Sequence, residues 1–249
     1  MLSEQRRELV LQAIRAGGAG TVSELAERFG VSEMTIRRDL DELAGRGKLT
    51  RVRGGALADS TEPPFEESVV VRFDAKDRIG AAAAELVSDG ETILVDIGTT
   101  TLQLARHLRG RKITIITSNL AVYEDLVSDS EVELVLLGGV VRRNYRSVVG
   151  FLAEDALRQL HADRAFIGAS GLRWDLAVMD STMTEVPIKR GMMAAATQSV
   201  LLLDSAKFGV TGIARVCGAP DLDMMITDDD VDPGFLEQLE SAGVTVRRV

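Results

Sequence analysis

Seven short apolar runs constrain this chain most: T-I-L-V-D from residue 92, I-T-I-I-T from 113, V-E-L-V-L-L from 132, A-F-I-G from 165, V-L-L-L-D from 200, M-M-I-T-D from 224 and V-T-V-R-R-V from 244. Several are apolar throughout, as strands are when helices cover both faces of their sheet. Between them helical periodicity is predicted over 102–108, 121–127, 152–160, 186–196 and 235–241. Alternating strands and helices predict an α/β domain with a largely parallel sheet.

In an open parallel sheet, ligands bind beyond the C-terminal ends of the strands. The first run continues as D-I-G-T-T-T, placing Asp96, Gly98, Thr99, Thr100 and Thr101 where a helix opens. Free amides, hydroxyls and the positive end of a helix dipole make an anion site. G-x-x-x-x-G-K is absent, so this is no Walker loop, and plain helix capping would also use a threonine here. Other strand ends carry Ser118 and Asn119, then Gly138, Gly139 and Arg142, then Asp204 and Lys207. Together these supply hydroxyl, amide and cationic groups, the inventory that holds a phosphorylated polyol.

The first sixty residues follow another pattern. A helix over 3–16 carries Leu9, Ala13 and Ile14 on one face. Thr21 and Glu24 have capping-box spacing ahead of Leu25, Ala26 and Phe29. Ser32 is a natural N-cap for a helix over 33–43, which puts Ile36, Leu40 and Leu43 on one face and Met34, Thr35, Arg37 and Arg38 elsewhere. Two helices joined by Phe29-Gly30-Val31-Ser32 form a helix-turn-helix, whose second helix enters the major groove of DNA. K-L-T-R-V-R-G-G-A-L, from residue 48, reads as two strands around Gly54-Gly55, a wing. Residues 59–67, with two prolines and four acidic groups, read as a domain boundary, and a helix from residue 75 opens the second domain.

The formal charge of −9 opposes nucleic acid as a partner only until it is divided. Residues 1–57 hold ten Lys/Arg against eight Asp/Glu, and the remainder 19 against 30, a basic head on an acidic body. Cys217 is the one cysteine and there are two histidines, so no intramolecular disulfide is possible and no metal or cofactor is implied. Cys217 reads as a strand residue in the core, and Met179, Met183, Met192 and Met193 as core or interface filler. Trp174 suits a structural role or a place over a ligand. No apolar run approaches a membrane span and M-L-S-E-Q-R-R is no signal peptide, so a cytoplasmic protein is expected.

V-S-E-L-A-E-R-F-G-V-S-E-M-T-I-R-R-D-L-D-E-L followed by G-K-L-T-R-V-R-G-G-A-L resembles the N-terminal domain of the DeoR family of bacterial transcriptional regulators. D-x-G-T-T-T, T-S-N, G-G-x-x-R, E-V-P-I-K-R and D-S-x-K-F-G resemble the family's sensor domain, which is similar in fold to ribose-5-phosphate isomerase. The resemblance implies double-stranded operator DNA as one partner, a phosphorylated sugar as another, and a homo-oligomer, dimer or tetramer. It implies phosphate contacts from Gly98 to Thr101, with Asp96, Asn119, Glu185 and Lys207 facing sugar hydroxyls or phosphate and Ser118, Gly139, Arg142 and Lys189 beside them. Lys189 lies four residues after Glu185, a spacing that also suits a surface pair. Ala206 stands where many family members have serine.

The expected organisation is a winged helix-turn-helix over 1–57, a linker over 58–74 and an α/β sensor over 75–249. On DNA, Arg37 and Arg38 suit guanine or phosphate, Met34 and Thr35 thymine methyls or base edges, Glu33 cytosine, Ser32 and Thr21 the helix starts, and Arg51 and Arg53 the backbone. The alternative is an isomerase-like enzyme carrying a DNA-binding head, with Asp96, Glu185 and Lys207 moving protons.

Overall fold

Local capping sets the first helices. The computed structural model describes residues 3–17, 19–46, 48–52, 54–58 and 63–249, and the chain divides into two units, Met1–Thr61 and Glu62–Val249. In the first, helix α1 (Ser3–Gly17) and a short strand β1 (Ala19–Thr21) precede α2 (Val22–Phe29) and α3 (Glu33–Gly45), then strands β2 (Leu49–Val52) and β3 (Gly55–Ala58). Thr21 and Glu24 form a reciprocal capping box, the Thr35 amide donates to Ser32 Oγ at 3.2 Å, and Gly30 ends α2 at φ 63°. That left-handed turn is open to glycine without strain, and it fixes the angle between the two helices.

Val10, Leu11, Ile14, Leu25, Ile36, Leu40 and Leu43 fill the core of this unit. Leu9, expected on the buried face, is exposed, because α1 is rotated so that Val10 and Leu11 point inward. The wing is a three-stranded antiparallel sheet of order β1–β3–β2. Only Gly54 of the glycine pair has a positive φ, 87°; Gly55 is needed because a Cβ there would lie 2.4 Å from the Gly20 carbonyl. Asp39 is buried on the inner face of α3, accepting from Arg6 Nε at 2.6 Å and Arg7 Nε at 3.4 Å on α1.

In the second unit α4 (Phe65–Val70) and α5 (Phe73–Ala84) come first. Helix α4 forms inside the stretch expected as a linker, because Phe65, 2% exposed, is an apolar anchor amid prolines and carboxylates. There follow β4 (Thr92–Val95), α6 (Thr99–His107), β5 (Thr114–Thr117), α7 (Leu120–Leu126), β6 (Glu133–Leu136), a hairpin of β7 (Val140–Arg142) and β8 (Ser147–Val149), and α8 (Phe151–Leu157). The second half runs β9 (Ala162–Gly168), β10 (Gly171–Leu172), β11 (Ala177–Asp180), α9 (Val186–Ala194), β12 (Ala196–Leu202), β13 (Ala214–Gly218), β14 (Met224–Thr227), α10 (Pro233–Ser241) and β15 (Thr245–Arg248).

All seven apolar runs join one parallel sheet, of order β15–β14–β12–β9–β4–β5–β6. Alternation decides the faces. Ile93, Val95, Ile115, Val200 and Ile226 meet α5, α6 and α7 on one side. Leu94, Ile116, Ala165 and Ile167 meet α8 and α9 on the other, and Leu201 and Met225 meet α10. The alanines of α5 serve close packing on α6, where a Cβ at Gly80 would lie 2.7 Å from Gln103 Cβ. Strands β10, β11 and β13 form a separate antiparallel sheet absent from the sequence reading. Cys217, on β13, is buried in the core. Among the described residues no helix is long and apolar enough to cross a membrane.

The Asp39 clamp sets how α3 sits on α1. Asp39→Ala removes charge-assisted hydrogen bonds worth about 2 kcal/mol, so in a denaturant melt the first unit should unfold earlier by about that amount while the transition of the second unit stays in place.

Candidate functional site

The strand order locates a site that the individual motifs could not. From β4 the chain proceeds to β5 and β6 on one side, and from β9 to β12, β14 and β15 on the other, so the order reverses between β4 and β9. Such a reversal opens a crevice at the C-terminal strand ends. Asp96 follows β4 there and Gly168 ends β9, the Gly168 amide donating to Asp96 Oδ2 at 2.9 Å. Lys189, reaching in from α9, donates to Asp96 Oδ2 and to the Gly168 carbonyl at 3.0 Å, and stands 3.6 Å from Asp180.

Lys189 is therefore no surface partner of Glu185. It is fully buried. Burial works against its ammonium, but the Asp96 and Asp180 carboxylates outweigh it and hold the pKa above the ordinary lysine value. Burial raises the Asp96 carboxyl, with Lys189 and the Gly168 amide pulling the other way. Glu185 faces a different partner: its Oε1 accepts from Arg142 on β7 and from Ser147 Oγ on β8 at 2.8 Å.

The threonine loop is buried as well. Gly98 turns at φ 134° to start α6, and Thr101 donates its hydroxyl to the Asp96 carbonyl at 2.8 Å, so Thr101 holds the loop while Thr99 and Thr100 open the helix. First-turn amides have no acceptor inside a helix, which leaves this end suited to an anion. Asn119 caps α7 through its Oδ1 and donates from Nδ2 to the Gly98 carbonyl at 3.3 Å. It ties the β4 and β5 ends together, and the free hydrogen-bonding capacity beside it belongs to Ser118. Gly139 packs where a Cβ would lie 2.4 Å from the Val149 carbonyl, a backbone role in the hairpin.

Lys207 sits on a short 3-10 turn and donates to the Ala169 carbonyl at 2.7 Å, which brings it to the end of β9. Ala206 donates its amide to Asp204 Oδ1 at 3.3 Å. Among the described residues, Asp96 Oδ1, Ser118 Oγ, Thr182 Oγ1 and Glu185 Oε2 are buried without a hydrogen-bond partner. Buried polar atoms are almost always paired, so an orphaned group of this kind at the strand ends fits a polyhydroxylated ligand.

Three side chains here escaped the sequence reading. Asp180 ends an unrecognised strand of four residues. Ser147 lies in an unrecognised hairpin. Lys76 shares the inner face of α5 with Ile79, Gly80 and Ala83, and a lone lysine on an apolar face was the available signal. Its Nζ donates to the Ser68 carbonyl at 2.7 Å; burial first, then Lys207 and Arg72, push its pKa down to about 8. Trp174 stacks on Phe235 with ring centroids 3.9 Å apart, a structural contact. Met179 and Met192 are buried, whereas Met183 is exposed.

In the first unit α3 presents Met34, 61% exposed, with Arg37 and Arg38. Thr35 shares its hydroxyl with Ser32 at 2.9 Å, Thr21 is bound to Glu24, and Arg37 pairs with Glu33 at 3.1 Å. Arg51, expected to lie along the DNA backbone, is held by Asp41 at 2.8 Å and by the Gly55 carbonyl. Among the described residues the Arg38 side chain makes no ion pair or hydrogen bond. Arg53 lies outside the described residues.

Comparison with known proteins agrees with this two-part layout. The DeoR-like helix-turn-helix domain matches residues 6–62 and the DeoR C terminal sensor domain residues 72–229. A putative aga operon transcriptional repressor of Escherichia coli O157:H7 is 34% identical over 98% of this chain and 93% of its own length. A lactose phosphotransferase system repressor of Lactococcus lactis subsp. lactis is 33% identical over 96% of each chain. A ribose 5-phosphate isomerase A of Methanocaldococcus jannaschii aligns over 55% of this chain and 54% of its own, with 19% identity and a TM-score of 0.40. With a helix-turn-helix head and a sensor domain both matched, the chain belongs to the DeoR family of DNA-binding transcriptional regulators.

Proposed function

We propose that this regulator represses a carbohydrate operon and is released from operator DNA when a phosphorylated sugar binds at the strand ends between β4 and β9. The observation that carries this reading is the set of buried, unpartnered acceptors and hydroxyls beside the Lys189–Asp96 pair, at the point where the strand order reverses. Gly98, Thr99 and Thr100 take the phosphate on the α6 terminus. Asp96, Ser118, Glu185 and Lys207 face the sugar. The names of the two repressors above support a sugar-linked operon.

Binding rather than catalysis is favoured by the state of each candidate acid or base. Glu185 is paired with Arg142, Asp96 with Lys189, and Lys207 donates to a backbone carbonyl. An isomerase needs a base within reach of a substrate carbon. On DNA, Arg38 reads the major groove with Met34 and Thr35 beside it. A single head covers few bases, so the protein works in the cytoplasm as a homo-oligomer, dimer or tetramer, on a repeated operator.

Arg38→Ala should weaken operator binding about 10-fold or more, the cost of one bidentate base contact, with an unchanged circular-dichroism spectrum; normal affinity in a mobility-shift assay removes Arg38 from the interface. Thr100→Val should bind operator normally and lose its response to a panel of sugar phosphates. Release at the wild-type ligand concentration would place the phosphate elsewhere.

Lys76 is held near Lys207 at a cost that a ligand anion repays. Its folded pKa of about 8 lies below the ordinary 10.5, so the unfolded chain binds the extra proton between those values and stability rises with pH across that window. Lys76→Met should melt higher than wild type at pH 7, and the difference should shrink as pH rises from 8 toward 10.5.

A further inference from the structure

We propose that the β7–β8 hairpin is a strap that carries the state of the ligand site to α4, the helix by which the chain enters the sensor unit. This rests on the ligand site described above and adds its mechanical connection. The strand pair next to the hairpin turn is fastened to the site: Arg142 and Ser147 lie opposite each other and both hold Glu185 Oε1. Its backbone is joined to the β5 end, with the Val148 amide donating to the Ser118 carbonyl and the Leu120 amide to the Arg146 carbonyl, each at 2.8 Å.

The tip of the same hairpin grips α4. The Phe65 amide donates to the Asn144 carbonyl at 3.0 Å, and the Tyr145 ring meets the Phe65 ring edge-on with centroids 5.6 Å apart. Arg146 lies 5.9 Å from the Phe65 ring and pairs with Glu124, with Glu66 at 4.0 Å. Arg146 adopts φ 51°, a left-handed conformation unfavourable for a side-chain-bearing residue and kept only where neighbours impose it. The turn and the strand pair that flanks it, residues 142–147, thus touch the pocket and the start of the unit side by side.

The strap is fixed along β8 and able to shift along β7 and its turn. Val140 and Val141 of β7 are 69% and 50% exposed while Val148 and Val149 of β8 are buried, so β8 anchors the hairpin in the core and polar contacts hold β7 and the turn. Segments with few buried apolar contacts open at low free energy. Beneath it, Glu185 Oε2 and Ser118 Oγ are buried and unpartnered. A ligand hydroxyl that donates to Glu185 Oε2 competes with Arg142 for the carboxylate, which weakens the ion pair and loosens the grip on Phe65. The ligand then acts by differential contact with the two strap positions.

The test uses the full chain and hydrogen exchange read at the Phe65 amide. Without ligand, Arg142→Ala should speed exchange at Phe65 at least 10-fold while Leu94, in the sheet centre, keeps its wild-type rate; an unchanged Phe65 rate overturns the strap. Should Arg142→Ala fail to fold, Ser147→Ala is read in the same way. Phe65→Leu, on α4 and outside the ligand site, removes the ring contact with Tyr145 and should bind ribose 5-phosphate or glucose 6-phosphate within about 3-fold of wild type, whichever of these probes the wild type binds, yet need at least 10-fold more of it to release DNA. Unaltered release overturns the proposal. Failure of both probes to bind wild type counts against the ligand site, and the ligand-free exchange then decides the strap alone.

Discussion

The buried ion pair between Lys189 and Asp96 is the constraint on which the sensor unit depends. An ammonium and a carboxylate are taken fully out of water, a step that costs several kcal/mol per ion unless each is paired and hydrogen-bonded. Here the pairing closes on itself. Asp96 also accepts the Gly168 amide, Lys189 also donates to the Gly168 carbonyl, and Asp180 adds a second carboxylate beside the ammonium. Strand β4, strand β9 and helix α9 meet through these contacts at the one place where the sheet order turns back. A ligand there touches both halves of the domain at once, which is what a sensor requires.

Much of this was legible in the sequence where many residues speak together. The seven strands stood out because most are runs of apolar residues and the central ones are covered on two faces, and the caps Thr21 and Ser32 because each has a fixed position before an amphipathic pattern. Strands of two or three residues, such as β1, β10 and β7, carry too little pattern to register. Helix α4 was hidden by its prolines and carboxylates, although one residue, Phe65, anchors it. The site motifs could be named but not joined, since strand order is a long-range property. Lys189 illustrates the gap: four residues from Glu185, it has the spacing of a surface pair, and only its burial assigns it to Asp96.

The DNA-binding unit handles its charges differently. Arg37, Arg46 and Arg51 rest on Glu33, Glu42 and Asp41, exposed pairs that contribute little to stability. Phosphate or a base edge exchanges for such partners at little cost. The Arg38 side chain stands apart with no internal partner among the described residues, and Asp39 next to it is turned inward to Arg6. In the proposed interface, adjacent residues on α3 divide the work of reading DNA and orienting the helix.

A phosphate-sensing pocket coupled to the head has a direct test: the fluorescence anisotropy of labelled operator, selected from random DNA and bound to the full chain, during titration with sugars and their phosphates. The expected result is a loss of operator affinity of 10-fold or more with at least one phosphorylated sugar and none with the same sugar lacking phosphate. Affinity that stays constant across the panel, or falls equally with the unphosphorylated sugar, would contradict it.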